Sequence, residues 1–86
     1  MPDAFIWYHG DESLETELLH WMVTVEQQVG VHGKLYRRKK GDTTTFMEAY
    51  RDVSSAAIQR IEKMALHQAV FANVNRCCES FMEISP

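Results

Sequence analysis

The stretch Lys34-Leu-Tyr-Arg-Arg-Lys-Lys-Gly-Asp-Thr-Thr-Thr-Phe-Met-Glu-Ala-Tyr50 constrains this chain most. It reads as two strands around a tight turn, with the β-branched and aromatic residues that strands favour on either side of a glycine. One face of the pair is small and apolar, the other aromatic and charged. A pair of that kind lays its first face under helices. It gives its second to a partner subunit, a ligand or a reaction.

The flanking sequence supplies the helices. Ala4 to His9 is short, aromatic and closed by Gly10-Asp11, and reads as a first strand. Asp11 or Ser13 caps a helix with Glu12, Glu15 and Glu17 in its first turns, where the helix dipole favours acids. Leu14, Leu18, Trp21 or Met22, Val25 and Val29 recur at helical spacing, which predicts a helix over 13–28 stopped by Gly30. Val31 to Arg38 is the second strand and Thr43 to Arg51 the third. Ser54 or Ser55 caps a second helix over 55–70, whose buried side carries Ile58, Ile61, Ala65 and Ala69. Arg76 to Ile84 is the last strand. The order β-α-β-β-α-β is the α+β, ferredoxin-like arrangement, a four-stranded antiparallel sheet with two helices on one face, in a single domain over 1–86.

The turn sets which side chains share a face. A three-residue loop, Lys39-Lys40-Gly41, puts glycine at the left-handed position and pairs Arg38 with Asp42, Tyr36 with Thr44 and Lys34 with Phe46. Val31, Gly33, Leu35, Thr45, Met47 and Ala49 then lie under the helices. His32, Lys34, Tyr36, Arg38, Phe46, Glu48 and Tyr50 lie on the open face. Cys78, Ser80, Met82 and Ile84 suit the helix side of the last strand, and Cys77, Glu79, Phe81 and Glu83 the open side. Ile6 is the aliphatic residue in the middle of strand one, which places Ile6 and Tyr8 under the helices and Phe5, Trp7 and His9 outside. Trp21, Met22 and Met64 fill core volume, and His20 and His67 stay on helix surfaces.

A chain of 86 residues buries only about 60% of its unfolded surface and gains from association. An open face holding Trp7, Tyr36, Phe46, Tyr50 and Phe81 exceeds the apolar patch that monomers carry, so a sheet-to-sheet homodimer is expected. The test expected to separate fold from dimer is that Glu48→Gln leaves folding intact while Phe46→Asp abolishes the dimer. A hydrophobic content of 45% is that of a folded globule. No apolar run approaches a membrane span, and no leader precedes strand one, which points to the cytoplasm. The adjacent Cys77 and Cys78 point to opposite faces and read as reduced thiols.

Four stretches resemble a family of short uncharacterised bacterial proteins, a domain of unknown function similar to the dimeric α+β-barrel superfamily: Phe5-Ile-Trp-Tyr8, Leu35-Tyr-Arg-Arg38, Thr45-Phe-Met-Glu-Ala-Tyr50 and Arg76-Cys-Cys-Glu-Ser-Phe81. The resemblance implies the fold and the dimer but no activity. The sequence departs from that pattern at Cys77, where the family carries histidine.

The chemistry-bearing residues gather on the expected open face. Glu48, Glu79 and Tyr50 beside Arg38 are the catalytic candidates, since a carboxyl group enclosed by aromatics serves as an acid or base near neutral pH. The plainer reading pairs Glu48 and Glu79 with Arg38, Arg76 or Lys34. Trp7, Tyr36, Arg38, Phe46, Cys77 and Phe81 are the binding candidates, with Cys77 as a thiolate near Arg76 or a plain filler. No histidine motif has metal-ligand spacing, so no metal or cofactor is expected. His32 or His9 with Glu48 is the one weak exception. Lys34, Arg37, Arg38, Lys39 and Lys40 hold five of the nine basic residues, read as a solvated hairpin. Nucleic acid is not expected, because Thr43-Thr44-Thr45 stands where a glycine-rich RNA-binding strand would be, the carboxylates repel phosphate and the net charge is −3. Two functions stay open: a domain that binds or transforms a small molecule in a cleft on the open face, and a non-enzymatic dimerisation or regulatory module without a pocket.

Overall fold

Four strands and two helices alternate as the sequence predicts, in a computed structural model that describes residues 1–85. They are β1 (Asp3–His9), α1 (Glu15–Val29), β2 (Gly33–Lys40), β3 (Thr43–Tyr50), α2 (Ser55–Ala65) and β4 (Cys77–Phe81). The strands form one antiparallel sheet in the order β2-β3-β1-β4. This is the ferredoxin-like fold.

Local chemistry sets the helix ends. The Asp11 carboxylate accepts from the Ser13 N–H at 2.8 Å and opens a short 3-10 turn over Glu12–Leu14 that runs into α1. Gly30 ends α1 in the left-handed region at φ 77°, its N–H donating to the Glu26 carbonyl. Ser54 caps α2 by accepting from the Ala57 N–H at 3.1 Å. This second helix is shorter than the periodicity suggests. It stops at Ala65, and a 3-10 turn at Ala69–Phe71 follows. That turn swings Phe71 inward, where it meets Tyr8 and Trp21 edge-on at 5.5 and 5.3 Å. The second strand starts at Gly33 rather than Val31, and the last ends at Phe81 rather than Ile84.

The hairpin corrects the expected register. The loop is Gly41-Asp42, with Lys40 facing Thr43 and both lysines inside β2. Gly41 has φ 60° and Asp42 does not enter the positive region, which is the type II′ pattern with glycine first. Residues 34, 36 and 38 therefore face 49, 47 and 45. The partner of each β2 residue moves by three positions, an odd shift, and an odd shift turns a whole strand over. Thr44, Phe46, Glu48 and Tyr50 thus lie buried under the helices, and Thr43, Thr45, Met47 and Ala49 line the other side. Phe46, expected on the open face, is fully buried in the core, so Phe46→Asp is a core lesion and says nothing about a dimer. The facing of the other three strands agrees with the sequence reading.

The flipped strand packs better. Phe46 and Tyr50 join Ala4, Ile6 and Tyr8 from β1, Leu18, Trp21, Met22 and Val25 from α1, and Ile61 and Ala65 from α2. Large rings under the helices bury more apolar area than Met47 and Ala49 would, at roughly 25 cal/mol per Å². Gly33 makes room for them. A Cβ there would collide with the Tyr50 ring and lie 2.6 Å from Met22 Cε.

Candidate functional site

Two arrangements of polar side chains result, one on each face of the sheet. Under the helices, Glu48 is completely enclosed. Its carboxylate accepts from the hydroxyls of Tyr8 at 2.7 Å and Tyr50 at 2.6 Å and from the Trp21 indole N–H at 3.1 Å. Arg76, just ahead of β4, closes the set with two bonds, Nη1 to Oε2 at 2.6 Å and Nη2 to Oε1 at 3.2 Å. The same guanidinium reaches Glu62 on α2 at 2.7 Å and lies over the Phe71 ring at 4.3 Å. A buried charge persists only when paired and hydrogen-bonded, and here both oxygens are saturated. Among the described residues no buried side-chain polar atom lacks a partner.

The electrostatics follow. Burial, then the neighbouring Glu48 charge, holds the Tyr8 and Tyr50 hydroxyls far above the ordinary phenol range. Burial alone would lower the Arg76 pKa. The hydrogen bonds and charge of Glu48, with those of Glu62, outweigh it and raise the value. The cluster ties α1, β1, β3 and the approach to β4 to one carboxylate, and Arg76 extends the tie to α2 through Glu62. Among the expected catalytic residues it unites Glu48 with Tyr50 but not with Glu79. Ile6 faces Glu48 while its neighbour Phe5 faces Glu79, so the two carboxylates sit on opposite sides of the sheet. Of the plain pairings read from the sequence, Glu48 with Arg76 is the one that forms.

The open face is laid out in rows across the strands. One row runs Tyr36, Met47, Trp7, Cys77; the next runs Lys34, Ala49, Phe5, Glu79; on the other side lie Arg38, Thr45 and His9. Phe81 stacks edge-on against Phe5 at 5.8 Å. Tyr36 is 49% exposed and Phe81 56%, which marks this side as the unpartnered one. A groove of about 340 Å³ opens here, lined by Trp7, Tyr36, Arg37, Arg38, Thr45 and Met47. Trp7, Tyr36 and Arg38 thus come together as binding candidates. Cys77 sits one strand further along the Trp7 row, Phe81 stands at the far edge, and Phe46 is absent.

His9 contacts Thr45 at 3.0 Å on the open face and His32 pairs with Glu26, so neither approaches Glu48. Among the described residues no three His, Cys, Asp or Glu side chains are placed to hold a metal ion. Both thiols are free. Burial, then the Glu62 charge, raises the Cys78 pKa, and Arg76 is committed to Glu48 and Glu62. No helix of the described residues is long and apolar enough to cross a membrane. The sequence reading missed Tyr8, Trp21 and Glu62 in the buried cluster, and Met47 and Thr45 in the groove. The Gly-Asp dipeptide, a known two-residue hairpin signal, was the clue to both.

No family model and no curated protein matches the chain. Among solved structures it is similar to the de novo designed protein Foldit4, at 12% identity and a TM-score of 0.77, with 96% of this chain and 98% of that chain covered. It is also similar to a PII-like signalling protein from Thermus thermophilus, at 15% identity and a TM-score of 0.56, with 94% of this chain and 87% of that chain covered. Likenesses at such identity concern the fold alone.

Proposed function

We propose that this chain is a binding domain that takes a small molecule on its open sheet face, in the groove between Trp7, Tyr36, Arg38, Thr45 and Met47. The observation that supports the reading is the groove itself, a concave site of ligand size with aromatic walls and a few polar groups at one end. Binding is favoured over catalysis, because Glu48 and Tyr50 are spent on each other and on Arg76 behind the sheet. A thermal-shift screen of a small-molecule library against the wild type and Tyr36→Ala tests it. Compounds that stabilise the wild type and lose that effect in Tyr36→Ala support the reading. A library without any such compound would sink it.

A specific feature favours a second reading, the sheet-to-sheet homodimer. One edge of the open face carries Lys34, Arg38 and Lys40, while the other carries Glu79 and the exposed Phe81. A two-fold copy laid face to face sets the acidic edge over the basic one and covers the aromatics. Sedimentation equilibrium separates the readings. This arrangement gives a dimer that Glu79→Lys weakens and that mixing with Arg38→Glu restores; the groove reading gives a monomer.

A further inference from the structure

The hairpin holds five basic side chains, and the fold treats them in two ways. Arg37 and Lys39 point to the helix side and are neutralised there, Arg37 by Glu15 at the start of α1 at 2.5 Å and Lys39 by Glu12 of the preceding 3-10 turn at 2.9 Å. Lys34, Arg38 and Lys40 point to the open side. Among the described residues none of these three has a carboxylate within ion-pair distance. The acids of that face are engaged or remote. Asp3 is tied to Arg51 at 3.0 Å, and Glu79 lies three strands from Lys34 in the same row, on the order of 14 Å by strand spacing. A chain of net negative charge therefore presents one uncompensated basic strip, and the strip borders the groove.

The groove adds the second half of a recognition pattern. Trp7 and Tyr36 stand on either side of Met47, one strand away in each direction, so two rings flank a polarisable floor. Arg38 lines the same groove one row further along β2. A guanidinium grips a planar anionic group through two parallel N–H donors, and aromatic walls take a flat ring.

We propose that the ligand of this groove is a small aromatic anion, a planar ring bearing a carboxylate or another oxyanion that docks on Arg38 while the ring lies between Trp7 and Tyr36. The proposal rests on the open-face reading and adds the ligand class. A neutral ring fills the groove but leaves Arg38 without a counter-charge, and a cationic ring is repelled by the strip.

Three probes of one shape test it: 2-naphthoate, neutral 2-naphthamide and the cation 2-naphthylmethylammonium, titrated by calorimetry against the full chain. The expected result is that naphthoate binds at least about tenfold tighter than naphthamide, the fold-change of one charge-assisted contact. Arg38→Gln should abolish that preference while naphthamide affinity holds. Trp7→Leu should weaken both, and the circular dichroism of both variants should match the wild type, since both sites lie off the core. Equal affinity for naphthoate and naphthamide, or a preference that survives Arg38→Gln, overturns the anion assignment and leaves the groove reading standing. Failure of all three probes, or binding indifferent to Trp7→Leu, overturns both. Binding of a short oligothymidylate with naphthoate inert assigns the face to nucleic acid and overturns the proposal.

Discussion

Replacing Glu48 by glutamine changes one atom and should cost this protein a large part of its stability. The wild-type carboxylate accepts five hydrogen bonds in a site closed to water. Glutamine turns one oxygen into a donor. If Oε2 is lost, the new amide faces Tyr8 and Arg76 Nη1; if Oε1 is lost, it faces Trp21, Tyr50 and Arg76 Nη2. Tyrosine hydroxyls can turn and accept, but arginine and indole only donate, so at least one Arg76 N–H meets another N–H in either orientation. The guanidinium, 8% exposed, keeps only the partly exposed Glu62 as counter-charge. Removing one partner of a buried pair costs about 3–5 kcal/mol, and the surviving Glu62 contact puts this case near the lower end. A chain of this length has about 4–13 kcal/mol in total, and about 3 kcal/mol lowers Tm by some 12–24 °C. Urea titration followed by tryptophan fluorescence, extrapolated linearly, measures the loss. Adding Arg76→Met should recover part of it, because an unpaired charge is removed along with its hole; the double variant should be more stable than the sum of the singles by about 2 kcal/mol. A Glu48→Gln protein within about 0.5 kcal/mol of wild type would refute the view that this carboxylate holds the elements together. The sequence-based expectation that this substitution leaves folding intact places Glu48 on the open face, outside the core, which the register overturns.

Two further outcomes concern the same packing. Tyr8 and Tyr50 should give no tyrosinate absorbance while the protein is folded and should ionise only on unfolding. Their folded values are raised, so their contribution is complete below about pH 10 and is lost above it, by up to about 2.7 kcal/mol per pH unit for the two. Alkaline unfolding curves read against an absorbance titration check this, and ionisation of Tyr8 or Tyr50 in a still-folded protein contradicts it. Gly33→Ala should lower the urea midpoint by the equivalent of about 1–3 kcal/mol, because Tyr50 is anchored by its hydroxyl on Glu48 and cannot yield to the added methyl. An unchanged midpoint contradicts that packing.

Most of the fold was legible in the order of residues. Periodicity, the caps at Asp11, Gly30 and Ser54, and glycine at the hairpin are local properties, and they predict the six elements and the ferredoxin-like order. Ile6 and Tyr8 under the helices, and Trp7, Tyr36 and Arg38 outside, were also readable, since side-chain alternation is a property of one strand. The candidate site was readable only in that part.

Beyond the Gly41-Asp42 turn signal, nothing in the side-chain pattern of β3 distinguishes its register, and the cause is electrostatic. Both registers place hydrophobic residues under the helices, and the choice turns on whether Glu48 can be buried. Sequence patterning treats a mid-strand carboxylate as a surface residue, because burying a lone charge costs several kcal/mol. The residues that reverse that cost come from distant parts of the chain: Tyr8 from β1, Trp21 from α1 and Arg76 from the approach to β4. Only the tertiary structure brings them to one point. Once it does, Glu48 belongs to the core, and Met47 takes its place on the open side beside Trp7 and Tyr36. The order of residues set the elements and the basic, aromatic character of the hairpin. The assembled fold decided which of those residues hold the protein together and which are left to meet a ligand.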